Sequence, residues 1–145
     1  MLKYDQKTKH TKGYTIMKRN DKFYICEHCG NIAEKLVDGG APLVCCGERM
    51  KELIPGTVEA SREKHIPVVS VDGSEVTVRI GSVDHPMTAE HSILWVYLVT
   101  DRGRYLRHLD VGEAPVAKFN LIDGERVEKA YAYCNLHGLW VFDIN

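Results

Sequence analysis

From His65 onward, short apolar segments are separated by polar turns, a pattern typical of β-strands. Val76, Val78 and Ile80 alternate with polar residues, and the turn "DGS" separates them from "IPVVSV", which predicts a β-hairpin. The segment "ILWVYLV" is too continuously apolar for a half-exposed strand, so we place it in the middle of a sheet. No long segment has the 3.6-residue period of an amphipathic helix.

Further strands are predicted at "RYLRHL", "VAKFNLI", "RVEKAYAYC" and "LWVFDI". Roughly seven short strands at turn-punctuated intervals predict an antiparallel β-sandwich. We assign it to residues 58–145, and the fold class is mainly β.

Residues 22–57 read as a separate small domain, with extended pieces interrupted by Gly and Pro. A unit of about 30 residues cannot bury enough apolar surface to be stable by itself, so we expect a cross-link. The polar, turn-rich segment "IPGTVEASRE" reads as the connection to the sandwich.

Composition adds a basic extension and predicts no membrane segment. The chain has 145 residues and a net charge of −1, but residues 1–22 carry seven basic and two acidic side chains. Such an extension can dock on nucleic acid or on an acidic protein, but we expect residues 1–21 to be a solvated, flexible tail, with no nucleic-acid partner. The longest apolar run is far below the about 20 residues of a membrane span, and no signal-peptide core is visible, which favours a cytoplasmic protein.

Four of the five cysteines lie between residues 26 and 46, which indicates a metal site. Without an export signal, clustered cysteines favour metal or redox chemistry over disulfides. Cys26 and Cys29 form a C-x2-C turn, and with the adjacent Cys45 and Cys46 they provide four thiolates for one tetrahedral zinc or iron. Because neighbouring side chains of a strand face opposite ways, the adjacent pair needs a kink, which Gly47 would help. His28, inside the C-x2-C turn, is expected to be a solvent-facing bystander.

The fifth cysteine and four histidines predict a second metal site. Cys134 and His137 form a C-x2-H pair, while His65, His85 and His91 lie at strand edges or in loops. Four imidazoles and one thiolate can hold a metal with one position left open, which is the mark of a reactive site.

Two other interpretations compete with a reactive iron site. A blue-copper electron carrier uses two histidines, a cysteine and an axial methionine, but the last methionine here is Met87, and copper would leave His65 unexplained. Iron is therefore favoured, as a catalytic centre or, alternatively, in a non-catalytic electron-transfer protein. The third interpretation is a zinc-stabilised binding module with a basic tail.

Taken together, these motifs resemble desulfoferrodoxin, the two-iron form of superoxide reductase, in unbroken order over residues 22–145. The segments that carry the resemblance are "YICEHCGN", "LVCCGERM", "EKHIPV", "GSVDHPMTAEHSI" and "YCNLHGLW". It implies a desulforedoxin-like domain followed by an immunoglobulin-like catalytic sandwich, in a homodimer. It also implies two mononuclear non-haem irons, one bound by Cys26, Cys29, Cys45 and Cys46, and the other by His65, His85, His91, His137 and the axial Cys134.

The resemblance further implies a reaction, the one-electron reduction of superoxide to hydrogen peroxide without release of oxygen. The family's Glu-Lys-His motif is present as Glu63, Lys64 and His65. Lys64 would attract the superoxide anion, and Glu63 would occupy the open position of the ferric form. The implied electron donor is a small redox protein such as rubredoxin, and relatives occur in anaerobes and microaerophiles. We expect the backbone N–H groups of Asn135 and Leu136 to bind the Cys134 sulfur.

Overall fold

The computed structural model describes residues 21–58 and 60–144, so the prediction for the basic extension lies almost entirely outside the described residues. The chain divides into two compact units between Leu53 and Ile54. The boundary that we placed after residue 57 stays a prediction. Among the described residues, the structure has no helix long and apolar enough to cross a membrane.

The N-terminal unit consists of short antiparallel strands with very little core. One sheet has the order β2-β1-β5 and the other pairs β3 with β4. The strands are β1 (Phe23–Ile25), β2 (Ile32–Glu34), β3 (Val44–Cys45), β4 (Glu48–Arg49) and β5 (Lys51–Glu52). Among its described residues, only Phe23 and Cys26 are buried hydrophobic side chains.

The C-terminal unit is a sandwich of seven antiparallel strands, as predicted. A three-stranded sheet has the order β10-β7-β6, and a four-stranded sheet has the order β12-β11-β8-β9. The elements are α1 (Arg62–His65), β6 (Pro67–Asp72), β7 (Glu75–Ile80), β8 (Ile93–Thr100), β9 (Arg104–His108), β10 (Val116–Asn120), β11 (Val127–Cys134) and β12 (Gly138–Asp143).

The predicted hairpin and the predicted central strand are both confirmed. In the hairpin of β6 and β7, Val71 pairs with Val76, and the alternating side chains of β7 enter the core between the sheets. Strand β8 lies between β11 and β9. Its outer face is also covered, since Trp95 stacks on Tyr133 of β11 with ring centroids 5.5 Å apart. Burial on both faces explains why the sequence of β8 does not alternate.

A β-bulge separates the sheet proper from the end that carries the second cluster. Tyr133 pairs with Trp95, but the next residue, Cys134, pairs with Ile93, so Leu94 has no partner on β11. A bulge changes the direction of the side chains that follow it. Here it keeps both Ile93 and Cys134 in the core.

The pattern did not predict α1, the short helix that precedes β6. It spans four residues, and the N–H of Ile66 donates to the carbonyl of Arg62 at 3.0 Å. Four residues are about one turn, too few for any hydrophobic period to be visible. The turn matters for function because it carries Glu63, Lys64 and His65, of which only His65 is buried.

Candidate metal centres

The four cysteines of the N-terminal unit come together as predicted. Their sulfur atoms all lie within 4.8 Å of one another. The Sγ atoms of Cys29 and Cys45 are 3.6 Å apart, and those of Cys45 and Cys46 are 4.0 Å apart. Tetrahedral ligands with metal–sulfur bonds of about 2.3 Å lie about 3.8 Å from each other. The cluster therefore has the dimensions of a mononuclear tetrahedral site.

The backbone around the cysteines explains how four sulfurs converge. The adjacent pair is kinked as expected, with φ of +52° at Cys46 and +78° at Gly47. In the C-x2-C turn, backbone N–H groups of Cys29 and His28 donate to the Cys26 sulfur, and these bonds lower its pKa to about 6. Cys46 lies on the far side of the kink, where hydrogen bonding with neighbouring sulfurs, first that of Cys29, raises its pKa to about 12. A metal cation would be needed for all four to be thiolates together.

His28 is not part of this cluster. Its side chain is exposed, and its Nε2 lies 3.0 Å from a carboxylate oxygen of Glu48. This placement agrees with the expected bystander. All five cysteines are free thiols in the structure.

The second cluster lies at one end of the sandwich, where three segments of chain meet. His65 is the last residue of α1, His85 and His91 belong to the connection between β7 and β8, and Cys134 ends β11. His137 follows in the tight turn to β12, where Gly138 has a φ of +74°. One ligand atom each from His65, His91, Cys134 and His137 lies within 4.8 Å of the other three.

The fourth histidine joins the cluster through His65. The Nε2 atoms of His85 and His65 are 3.2 Å apart, and Nε2 of His65 is 2.9 Å from Nδ1 of His137. Metal–nitrogen bonds of about 2.1 Å at right angles would place neighbouring nitrogens about 3.0 Å apart. Both distances are close to that value, so the three imidazoles are spaced like adjacent ligands of one ion.

Hydrogen bonds on the outer side of two rings fix which nitrogen faces the cluster. Nδ1 of His65 donates to the carbonyl of Ser61, and Nδ1 of His85 donates to the carbonyl of Pro86, both at 2.6 Å. In a neutral imidazole the other nitrogen then carries a lone pair. The close Nε2 atoms of His65 and His85 are therefore two acceptors, which cannot bond to each other. This arrangement calls for a cation between them.

Burial keeps these imidazoles neutral, and it leaves one nitrogen without a partner. The pKa of His85 is lowered to about 4, and the pKa values of His65 and His91 are also lowered, in each case chiefly because burial penalises the charged ring. Among the described residues, Nε2 of His91 is the one buried side-chain polar atom with no hydrogen-bond partner. Neutral imidazoles with inward lone pairs are the form that binds a metal.

The Cys134 thiol completes the cluster from the core of the sandwich. It is fully buried, and burial raises its pKa, while backbone N–H groups of His137 and Leu136 donate to the sulfur and lower it. Its Sγ is 3.8 Å from Nδ1 of His137. The donor set of four imidazoles and one thiolate fits the non-haem iron that we expected here, and the four-cysteine set fits the second iron.

Comparison with known proteins agrees with both clusters. Residues 57–143 match the family described as Desulfoferrodoxin, and residues 18–53 match the family described as Desulfoferrodoxin, N-terminal domain. This chain belongs to the desulfoferrodoxin family.

Relatives of similar length support this membership. The desulfoferrodoxin of Syntrophotalea carbinolica is 47% identical over 117 residues, which cover 81% of this chain and 91% of that protein. The desulfoferrodoxin of Nitratidesulfovibrio vulgaris is 47% identical over 119 residues, or 82% of this chain and 93% of that protein. The crystal structure of the superoxide reductase from Treponema pallidum is similar with a TM-score of 0.74 and 42% identity, covering 86% of this chain and 100% of that one.

At the Cys134 sulfur, the structure corrects one expectation. The N–H of Asn135 does not bind Cys134, because it donates to the carbonyl of Ser92 at 3.2 Å. The second donor to the sulfur is His137, and only Leu136 was expected correctly. The reason is the tight turn after β11, which folds the later amides back over the sulfur and leaves Asn135 to extend the pairing with the β8 side.

Sequence reasoning also missed Trp140. This buried side chain stacks on His65, with ring centroids 4.9 Å apart, and its Nε1–H donates to the carbonyl of His137 at 3.1 Å. It therefore contacts two histidines of the second cluster that come from different segments. Its position within "HGLW", three residues after His137, was the available signal.

Glycine at position 81 lets α1 approach the sheet end closely. Its φ is +86°, and a Cβ there would lie 2.8 Å from the carbonyl oxygens of both Glu63 and Lys64. The N–H of Gly81 donates to the carbonyl of Ile66 at 3.1 Å. The carbonyl oxygen of Val83 would lie nearer still, so any other residue type would displace the backbone of this turn or of α1.

Proposed function

We propose that this protein is a superoxide reductase, in which superoxide gains one electron and two protons to give hydrogen peroxide, with no oxygen produced. The observation that carries the proposal is the group of neutral, inward-facing imidazoles around a buried cysteine. Membership of the desulfoferrodoxin family and similarity to the Treponema pallidum superoxide reductase support it.

The residues that would hold the catalytic iron are His65, His85, His91 and His137, with Cys134. When bound there, ferrous iron supplies the electron that reduces superoxide. The chain prepares the site by keeping His65, His85 and His91 unprotonated through burial and by giving the sulfur two N–H donors, which favour the thiolate. Cys26, Cys29, Cys45 and Cys46 would hold the second iron.

Glu63 and Lys64 are the proposed catalytic residues outside the ligand set. Both are exposed on α1, next to the buried His65. The positive charge of Lys64 contributes, after burial and the other histidines, to the lowered pKa values of His65 and His91, so it acts at the cluster. A cation placed there raises the local concentration of an anionic substrate. Glu63 keeps the part that the family resemblance implies, as a carboxylate that binds the oxidised site.

Turnover needs one electron per superoxide from an external donor. We propose a small redox protein of the rubredoxin kind, a homodimer as the working assembly, and the cytoplasm as the location. The benefit, in organisms that avoid oxygen, would be protection from oxidative stress without generating oxygen.

The test is the number of hydrogen peroxide molecules formed per superoxide consumed, with a reductant regenerating the ferrous protein. One peroxide per superoxide, without oxygen, is expected. One peroxide for every two superoxides, with oxygen evolved, would mean dismutation, and no acceleration by iron-loaded protein would overturn the proposal.

Two variants connect the activity to the cluster. Cys134→Ser removes the thiolate and should lower the rate at least about 10-fold, because loss of a ligand should cost no less than loss of a ligand's hydrogen-bond partner. His108→Ala is the control, since His108 is an exposed histidine on β9. It should leave the rate and the stoichiometry unchanged.

A further inference from the structure

His91 differs from the other histidines in how it is held. His65 and His85 are oriented through their own rings, by Nδ1–H bonds to backbone carbonyls. His91 is instead held through its backbone, which makes hydrogen bonds with Thr88. Its N–H donates to Oγ1 of Thr88 at 3.1 Å, and its carbonyl accepts from the N–H of Thr88 at 2.9 Å. The direction of the His91 ring therefore depends on where its backbone lies.

Asn135 fixes the backbone on both sides of His91. Its side-chain oxygen Oδ1 accepts from the N–H of Ser92 at 3.0 Å, and its own N–H donates to the carbonyl of Ser92 at 3.2 Å. Its side-chain nitrogen Nδ2 donates to the carbonyl of Glu90 at 3.0 Å. Asn135 thus bonds to the residue before His91 and to the residue after it.

The same residue follows Cys134 directly in the chain. It lies just beyond the bulge, where regular pairing of β8 with β11 has ended at Ile93 and Cys134. The pair of Ile93 with Cys134 is therefore the last strand pair between β8 and the cysteine end of β11. Asn135 adds three hydrogen bonds, which join the two segments one residue away from each ligand.

We propose that Asn135 is a positioning residue. It sets the position of His91 relative to the Cys134 sulfur and so keeps these two ligands together around the metal. The inference rests on the proposed function for its catalytic consequence, but the positioning itself concerns metal binding. Asparagine suits the position because one end of its amide accepts from an N–H while the other end donates to a carbonyl. Aspartate can do only the first, and alanine neither.

The experiment is the loss of iron from the iron-loaded, full-length protein to an excess of a ferrous chelator at neutral pH. Hydrogen-bond partners that orient metal ligands typically change metal affinity or activity about 10- to 100-fold. Asn135→Ala should therefore release the His/Cys iron at least about 10-fold faster than the natural chain. Asn135→Asp, which keeps the acceptor for Ser92, should fall between the two.

Two further readouts separate positioning from general stability. The thiolate-to-iron absorption of the oxidised Cys134 site should shift in Asn135→Ala, while release of iron from the four-cysteine site should stay unchanged. Asn120→Ala is the matched control, an exposed asparagine on β10. It should change neither readout.

Unchanged iron release and an unchanged absorption band in Asn135→Ala would overturn the proposal, even if the melting temperature falls, because that pattern means only a structural contribution. The assay needs no superoxide. A failure of the proposed reaction would therefore appear in the peroxide stoichiometry and not here.

Discussion

The four-cysteine cluster and the histidine cluster differ in how much of the surrounding fold exists without a metal. The first is part of a unit with strands of two or three residues, and two of its cysteines are exposed. The second is built on a sandwich whose core includes Val76, Val96 and Leu98, all fully excluded from solvent.

This difference has a chemical consequence. The described residues of the N-terminal unit include few buried apolar side chains, so the metal must supply much of the stability, as in other small metal-bound domains. In the sandwich, the energy of the core is available to hold neutral imidazoles close together before a metal arrives. Such preorganisation suits a centre whose four histidines and one cysteine must stay in place while the metal changes oxidation state.

Removal of both metals should produce the largest contrast. We expect the N-terminal unit to lose its structure, because structural metal sites of this kind contribute on the order of 10 kcal/mol to folding, while the sandwich stays folded. Hydrogen exchange measured by mass spectrometry should show rapid exchange in β1 and continued protection in β8. Equal protection of β1 with and without metal would show that the unit does not depend on its metal.

The metal-free sandwich should lose stability as the pH falls from about 6.5 to about 4. His85 has a folded pKa of about 4, below its ordinary value of 6.5, so the unfolded chain takes up a proton in this range before the folded chain does. The linkage amounts to at most about 3 kcal/mol for this residue, and His65 and His91 act in the same direction. Urea unfolding of the metal-free protein at several pH values measures the slope.

Substitution at two histidines tests that assignment. His85→Asn should remove much of the slope, while His108→Asn, on the exposed strand β9, should retain it. If the natural chain and His85→Asn had the same pH dependence, burial of this imidazole would not be its cause.

Lys64→Ala should have a moderate effect on rate, and none on the metal content of either cluster. At low ionic strength we expect a second-order rate constant for superoxide about 10-fold lower, because the steering charge is lost, together with a weaker dependence on salt. Stopped-flow measurement over a range of ionic strength gives both values. Lys118→Ala, on β10, is the control, and an unchanged rate constant for Lys64→Ala at low salt would rule out steering.

The smallest effect is expected for His28→Ala in the N-terminal unit. The exposed pair with Glu48 contributes little, so the change in the free energy of unfolding should stay within about 0.5 kcal/mol. Metal content, measured by elemental analysis, should equal that of the natural chain, whereas Cys29→Ser should lose this metal. Loss of metal in His28→Ala would make the histidine more than a bystander.

The sandwich could be predicted from the sequence because the hydrophobic pattern of each strand reflects how that strand is buried. Alternation in β7 and continuous apolar character in β8 follow directly from burial on one face or on both. The kink at Cys46 could also be predicted, since two adjacent side chains cannot otherwise reach one metal.

Features that depend on a few residues or on long-range pairing left no such pattern. The helix α1 is too short to have a period, and the bulge at Leu94 appears only when β8 and β11 are paired. For the same reason the donors to the Cys134 sulfur were only half correct, because the direction of the amides after Cys134 depends on the turn to β12.

The close contact at Gly81 has a consequence for how this centre can be altered. Because a Cβ at this position would lie 2.8 Å from the carbonyl oxygens of Glu63 and Lys64, the backbone of α1 can pack this closely only against a glycine. Lys64 and the ligand His65 are adjacent residues of this single helical turn. A change that moves the backbone of α1 therefore also moves the ligand His65. Evolution or engineering can alter substrate capture without altering the metal ligands only by exchanging exposed side chains of α1.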